Sequence, residues 1–210
     1  MGRVPRDRSL ARQARGGRVR RRLGRAGEHG KGRVLARLGR AGANVNIVLV
    51  GYRGAGKSSV ATILAQRLSW PLISTDAEIV KKAGLSVPEI IQKRGWDYFR
   101  DVESQICQRL GKKDRTIIDT GGGVVLRKEN VAALRERGRV FWLTAEVPTI
   151  MERIKHSKDR PSLTQKKSYV DEVEEVLNER IPMYKAACDH IVATDDRTLE
   201  EIADEIQSKM

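Results

Sequence analysis

From residue 46 to the C-terminus, short apolar runs alternate with stretches whose apolar residues recur every three or four positions. A continuous apolar run of four or so suits a strand buried on both faces, while the i, i+3, i+4 spacing gives a helix one apolar stripe. The pattern predicts strands over 47–50, 71–74, 116–119, 140–143 and 190–193. Between them it predicts helices over 57–68, 77–83, 87 to about 110, 129–137, 148–154, 171 to 187 and, last, 199–209. The long third helix carries its own start signal, Ser86 as cap and Pro88 in the first turn. Residues 156–168 are polar, lack apolar periodicity, and are long for a connection inside a compact domain; such loops are usually lids or disordered. No internal repeat is visible.

Strands separated by helices imply an α/β, three-layer fold. A central parallel sheet of about five strands carries helices on both faces and a mobile lid, with ligands at the carboxyl ends of the strands. Three candidate features fall there. A glycine-rich loop follows the first strand, Asp76 lies two residues past the second, and Asp119 ends the third, just before Gly121-Gly122-Gly123.

Charge changes the picture at one end only. The chain has 210 residues and a net charge of +14. Residues 1–43 contribute +12 of it, with 14 Lys and Arg against Asp7 and Glu28, so the remaining 167 residues are nearly neutral. This leader has nine glycines and no aromatic residue, too little apolar surface to offset the entropy of ordering, and is expected to be disordered. A transit peptide fits its Arg content, but Ser9 is its only serine; a nucleic-acid arm fits the charge, but no stacking aromatics accompany it. The favoured expectation is an extension outside the functional chain, which then occupies 44–210.

No run of 18 apolar residues and no secretory core near Met1 appear, so neither a membrane partner nor a nucleic-acid partner is expected. Cys107 and Cys188 read as reduced thiols of a cytoplasmic protein, with a plastid as the alternative if 1–43 is a transit peptide. His29, His156 and His190 lack zinc-ligand spacing.

The candidate chemistry begins with Gly51-Tyr52-Arg53-Gly54-Ala55-Gly56-Lys57-Ser58, a G-x-x-x-x-G-K-[ST] loop between strand and helix. Its glycines let backbone N–H groups converge on an anion, the helix N-terminus adds partial positive charge, Lys57 reaches the outer phosphates, and the Ser58 hydroxyl is suited to Mg²⁺. Gly54, Ala55, Gly56, Lys57, Ser58 and Ser59 are thus the expected ATP cradle. Such a loop alone leaves the second substrate open.

Further tags follow in order: Thr75-Asp76, Phe99-Arg100-Asp101-x-Glu103, Gly121-Gly122-Gly123, Arg160-Pro161 and Arg180-x-Pro182-x-Tyr184. A small polyol acid would use guanidinium forks for its carboxylate and a carboxylate for its hydroxyls, which Arg100, Arg180 and Asp76 supply. Glu103, three residues after Arg100, faces it on the same helix.

Over residues 46–209 this ordered set resembles the shikimate kinase family. The resemblance implies ATP and Mg²⁺ as cofactors and shikimate 3-phosphate as product. It implies substrate contacts from Asp76, Arg100, Gly121, Gly122, Gly123 and Arg180, and a catalytic set of Lys57, Asp76 and Arg160, the last a lid arginine over ATP. Arg153 and Arg197 match nucleotide-proximal positions, and a monomer is expected. The alternative is a P-loop kinase for another small hydroxy acid such as gluconate.

The chain departs from the family pattern in places. Ser74 stands where an aspartate usually assists the Mg²⁺ shell, and Asp119 stands where a small or apolar residue is common. The expectation is that Asp119 holds a Mg²⁺ water instead. By the same resemblance three substrate-pocket positions differ, which bears on the fine shape of the acceptor site: Ile91 stands where a phenylalanine often lines the ring pocket, Trp96 where a glutamate is usual, and Ser162 where a leucine commonly follows the lid proline. Trp96 is expected to pack on a neighbouring helix, Trp70 and Trp142 to be core, and Tyr184 to pack rather than react.

Overall fold

The computed structural model describes residues 45–155 and 169–210. The basic leader, the expected lid, Arg160 and Ser162 lie outside the described residues. In chain order the elements are β1 (Asn46–Val50), α1 (Lys57–Leu68), β2 (Leu72–Ser74), α2 (Thr75–Ala83) and α3 (Val87–Leu110). These are followed by β3 (Ile117–Asp119), a 3-10 turn (Val124–Leu126), α4 (Lys128–Glu136), β4 (Gly138–Thr144) and α5 (Val147–Ile154). Then come α6 (Tyr169–Ala187), β5 (His190–Ala193) and α7 (Leu199–Ser208). The strands form one sheet in the order β2-β3-β1-β4-β5, and every pairing is parallel.

The alternation of side chains along β1 assigns the two layers of helices. Val48 and Val50 point into a cluster with Phe99 and Ile106 of α3, Leu134 of α4 and Tyr184 of α6. Ile47 and Leu49 point the other way, against Val60 and Leu64 of α1 and Ile202 and Ile206 of α7. All five residues of β1 are buried, as a central strand covered on both faces requires. Trp142 is core and Trp70 packs half-buried against the second cluster. Among the described residues, no helix is long and apolar enough to cross a membrane.

Two local features differ from the expectation. Helix α2 begins at Thr75, because the Ser74 hydroxyl accepts from Ala77 N (3.4 Å) and so caps it. Asp76 therefore sits in a helix's first turn, where the dipole favours its charge. Helix α3 is broken at Gly95, whose φ of 80° and ψ of 172° are not helical. The apolar spacing carries across the break, so periodicity alone reads one helix.

Candidate active site

The loop between β1 and α1 turns through two left-handed glycines, Gly54 (φ +82°) and Gly56 (φ +84°). A Cβ on Gly54 would also lie 2.9 Å from the Ile154 side chain of α5. Ala55 is buried, its side chain anchored in the core below the loop while its N–H donates to the Tyr52 carbonyl (3.2 Å). Lys57 opens α1 and is 8 % exposed, with Nζ donating to Tyr52 O at 3.0 Å.

The loop floors a cleft of about 520 Å³ whose walls include Ser58, Ser59, Asp76, Asp119, Arg153 and Arg197. Arg153 is held at the rim by bonds to Gly54 O (3.2 Å) and to Thr194 Oγ1 and O (2.9 Å each). Arg197 is fixed by Ala193 O (3.0 Å), Glu201 O (3.0 Å) and the Glu205 carboxylate (2.6 Å).

Across the loop, Asp119 at the end of β3 accepts from the Ser58 hydroxyl at 2.7 Å through Oδ2. Its other oxygen, Oδ1, is buried without a hydrogen-bond partner among the described residues. Burial pushes the Asp119 carboxyl's pKa upward, opposed by the Ser58 hydrogen bond and the Lys57 charge. In the sheet register Ser74 lies directly opposite Asp119, and the Ser74 hydroxyl is engaged as the cap of α2. The carboxylate missing at one strand end is thus present at its neighbour, beside the serine of the loop.

A second, smaller cavity of about 60 Å³ opens beside the cleft. Its walls include Arg100, Glu103, the three glycines and Arg180, and Asp76 lines both spaces. The Arg100 guanidinium donates to Glu103 at 2.7 Å, and Glu103 is fully buried. Burial raises the Glu103 pKa, with Arg100 the strongest influence pulling it back, followed by Arg127 and Arg180. The glycines are there for close approach. A Cβ on Gly121 would stand 2.7 Å from Asp76 Oδ1, and one on Gly123 would overlap the Arg100 guanidinium. Arg180 of α6 donates to Gly122 O at 3.3 Å, and the Tyr184 hydroxyl, one helical turn on, donates to the same carbonyl. Tyr184 is fully buried and stacks on Trp142 (centroids 5.6 Å, 19°), the packing role expected of it.

Apart from Ala55, whose side chain lies in the core below the loop, every candidate residue among the described ones lines this crevice at the carboxyl ends of the strands. One expectation is corrected. Trp96 does not pack on a neighbouring helix; it is 41 % exposed, lines the smaller cavity, and lies edge-on to Phe99 and over Arg100. It sits directly after the Gly95 break, which turns the chain at that point. Two residues support the site through contacts that the sequence does not show, one from the Thr75-Asp76 tag and one from outside every tag. Thr75, fully buried, accepts from Gly121 N at 3.0 Å and ties α2 to the glycine turn, and Thr194 holds Arg153. Threonines at strand ends are common, so Thr194 carried no signal, and the tag that holds Thr75 does not reveal its bond to the glycine turn.

The family model described as shikimate kinase matches residues 53–210. A shikimate kinase of Nitratidesulfovibrio vulgaris is 41% identical over 152 residues, covering 71% of this chain and 86% of that protein. One from Caldicellulosiruptor bescii is 39% identical over 163 residues, covering 78% and 94%. Among solved structures, the Acinetobacter baumannii shikimate kinase in complex with shikimate superimposes with a TM-score of 0.75 at 30% identity, covering 80% of this chain and 93% of that one. With a phosphate-type loop, an arginine-lined cavity beside it and these relatives over most of its length, the chain belongs to the shikimate kinase family.

Proposed function

We propose that this chain transfers the γ-phosphoryl group of ATP to the 3-hydroxyl of shikimate, giving ADP and shikimate 3-phosphate. The observation that carries the reading is the position of Asp76, a wall of both the cleft over the glycine-rich loop and the cavity holding Arg100 and Arg180. A carboxylate at that junction accepts hydrogen bonds from vicinal hydroxyls and points one of them at the phosphate. Phosphoryl transfer asks chiefly for positioning and charge stabilisation, so a strong base is not required.

In this reading the backbone from Gly54 to Ser59 and Lys57 hold the phosphates, with Arg153 and Arg197 at the nucleotide's edge. Lys57 folds back onto the Tyr52 carbonyl, a neutral acceptor that anionic phosphate oxygens would outcompete. Arg100 and Arg180 take the acceptor's carboxylate, and Gly121, Gly122 and Gly123 let its ring lie close to the backbone. By the sequence pattern Arg160 adds a further cation over the transferring group.

Mg²⁺ fits the donor set. The Ser58 hydroxyl and the Asp119 carboxylate, 2.7 Å apart with Asp119 Oδ1 available, would hold the ion or its waters. When bound, the ion neutralises charge between the outer phosphates. Residues 44–210 are proposed to carry the whole activity, the basic leader none of it.

The test is an ADP-release assay of the full chain and of residues 44–210, with shikimate, gluconate and nucleoside monophosphates in parallel. Shikimate should support turnover in both proteins. A faster reaction with gluconate or a nucleoside monophosphate would replace the proposed acceptor.

A further inference from the structure

Beyond its glycine-rich floor, the larger cleft is walled by Arg153, Arg197, Leu199 and Ile202. Arg197 stands on the turn from β5 into α7, directly after Asp196, whose φ of 51° is left-handed. That conformation is uncommon in a residue with a Cβ, and Asp tolerates it better than most. The turn brings Arg197 to the cleft. Its guanidinium is then held from behind, by a carboxylate that is not itself a wall of the cleft.

Arg197 Nη1 donates to Ala193 O at 3.0 Å and to Glu205 at 2.6 Å, and Nη2 donates to Glu201 O at 3.0 Å. The two carbonyls are neutral; Glu205 supplies the one bond between ions, which is the stronger kind. Its other oxygen, Oε1, accepts from Lys209 Nζ at 2.5 Å, one helical turn on. The Lys209 bond, opposed by partial burial and joined by the Arg197 bond, holds the Glu205 carboxyl below its usual range, so it is ionised at neutral pH. One carboxylate between two cations leaves this trio a net positive charge beside the cleft, which favours an anionic ligand.

A role in fold stability accounts poorly for this clasp. Both partners of Glu205 belong to the segment 197–209 that carries Glu205 itself, so the clasp ties α7 to no other helix. That tie comes from the preceding residue, Asp204, which pairs with Arg67 of α1 at 2.6 Å. The Arg197 and Glu205 side chains are 28% and 26% exposed, and ion pairs with that much access to water add little stability.

We infer that Glu205 is a positioning residue for the nucleotide: it fixes the Arg197 fork at the cleft before ATP binds, and Lys209 fixes Glu205. A guanidinium held in advance loses less freedom on binding than one the ligand must order. The inference rests on the ATP half of the proposed function.

The test uses the full chain, with Mg²⁺-ADP affinity from titration calorimetry beside steady-state kinetics. Glu205→Ala should raise both the ADP Kd and the KM for ATP roughly three- to tenfold, with kcat and the shikimate KM within about twofold. Glu205→Gln, which keeps an acceptor oxygen for Arg197, should recover most of the loss. Asp204→Ala breaks a bridge of the same length one residue away and should leave ADP affinity within about twofold. In an Arg197→Ala background, adding Glu205→Ala should cost nothing further, because Glu205 acts through Arg197. Unchanged ADP affinity in Glu205→Ala, an equal loss in Asp204→Ala, or additive losses in the double variant would each overturn the inference. A wild-type chain without ADP affinity overturns the functional reading and this inference together. One that binds ADP but leaves shikimate unphosphorylated overturns the proposed acceptor, while the ADP affinities of the variants still decide the role of Glu205.

Discussion

Removing the Arg100 guanidinium separates two effects that the native chain combines, capture of an acid and neutralisation of Glu103. The Glu103 side chain is fully buried and that of Arg100 only 14% exposed. Arg100→Ala therefore strands a desolvated carboxylate, and breaking one half of a buried pair costs about 3–5 kcal/mol. Arg127 and Arg180 still attract that carboxylate, which places the loss near the lower end, about 3 kcal/mol.

The stranded group has an escape in taking up a proton. Its pKa is already raised by burial from 4.5, and Arg100 is the largest opposing influence, so the variant's carboxyl titrates higher still. Because the folded chain then holds a proton that the unfolded chain has released, this contribution is fully present below 4.5 and is lost as pH rises through the folded value. Urea unfolding should accordingly show a smaller deficit for Arg100→Ala at about pH 5 than at about pH 8. Adding Glu103→Gln removes the charge and should restore about 2 kcal/mol at the higher pH. Acceptor capture should not return. A charge-assisted hydrogen bond is worth about 1.5–3 kcal/mol, so kcat/KM for shikimate should stay roughly 10- to 150-fold down in both variants, with the KM for ATP nearly unchanged. Equal deficits at the two pH values, or a double variant less stable than the single one, would refute the ion-pair reasoning. Equal damage to both substrates would refute the acceptor role.

Three further outcomes follow from the same geometry. Lys57→Ala should lower kcat roughly 10²- to 10³-fold through lost transition-state charge while the thermal unfolding midpoint changes little; near-normal turnover would remove Lys57 from the chemistry. Gly123→Ala places a methyl on the far end of the Arg100 side chain, which yields, so stability should change by less than about 1 kcal/mol while kcat/KM for shikimate falls roughly tenfold. An unaltered KM would mean that Arg100 tolerates displacement. Asp119→Asn should raise the Mg²⁺ concentration for half-maximal turnover by roughly tenfold, and adding Ser74→Asp, at the facing strand position, should bring it back. A Mg²⁺ dependence unmoved by Asp119→Asn returns that residue to a purely structural role.

Much of this was legible in the residue pattern because the strands are central and buried. A parallel sheet covered on both faces writes itself as apolar runs, and the helices between them as 3.6-residue periods, so the element order could be read directly. The phosphate loop and the Arg100–Glu103 pair were equally readable, since both are local: one is a contiguous eight-residue motif and the other an i, i+3 spacing. What escaped was non-local or conformational. The Gly95 break leaves apolar periodicity intact while redirecting the chain, so spacing alone does not tell which way Trp96 faces. The bond from Gly121 N to Thr75 and the convergence of Arg180 and Tyr184 on one carbonyl join segments 46, 58 and 62 residues apart. Such contacts depend on strand order, which places β3 between β1 and β2 and brings the glycine turn beside Asp76. Sequence gave the parts of the exchange between Ser74 and Asp119, and the register placed them opposite each other.

The most direct measurement is a crystal structure of the chain with ADP and shikimate bound together. The expected result has the shikimate carboxylate within hydrogen-bond distance of both Arg100 and Arg180, and a ring hydroxyl on Asp76 facing the nucleotide's phosphate end. Shikimate bound elsewhere, or seated with its carboxylate toward Asp76 and its hydroxyls away from the glycine-rich loop, would contradict it.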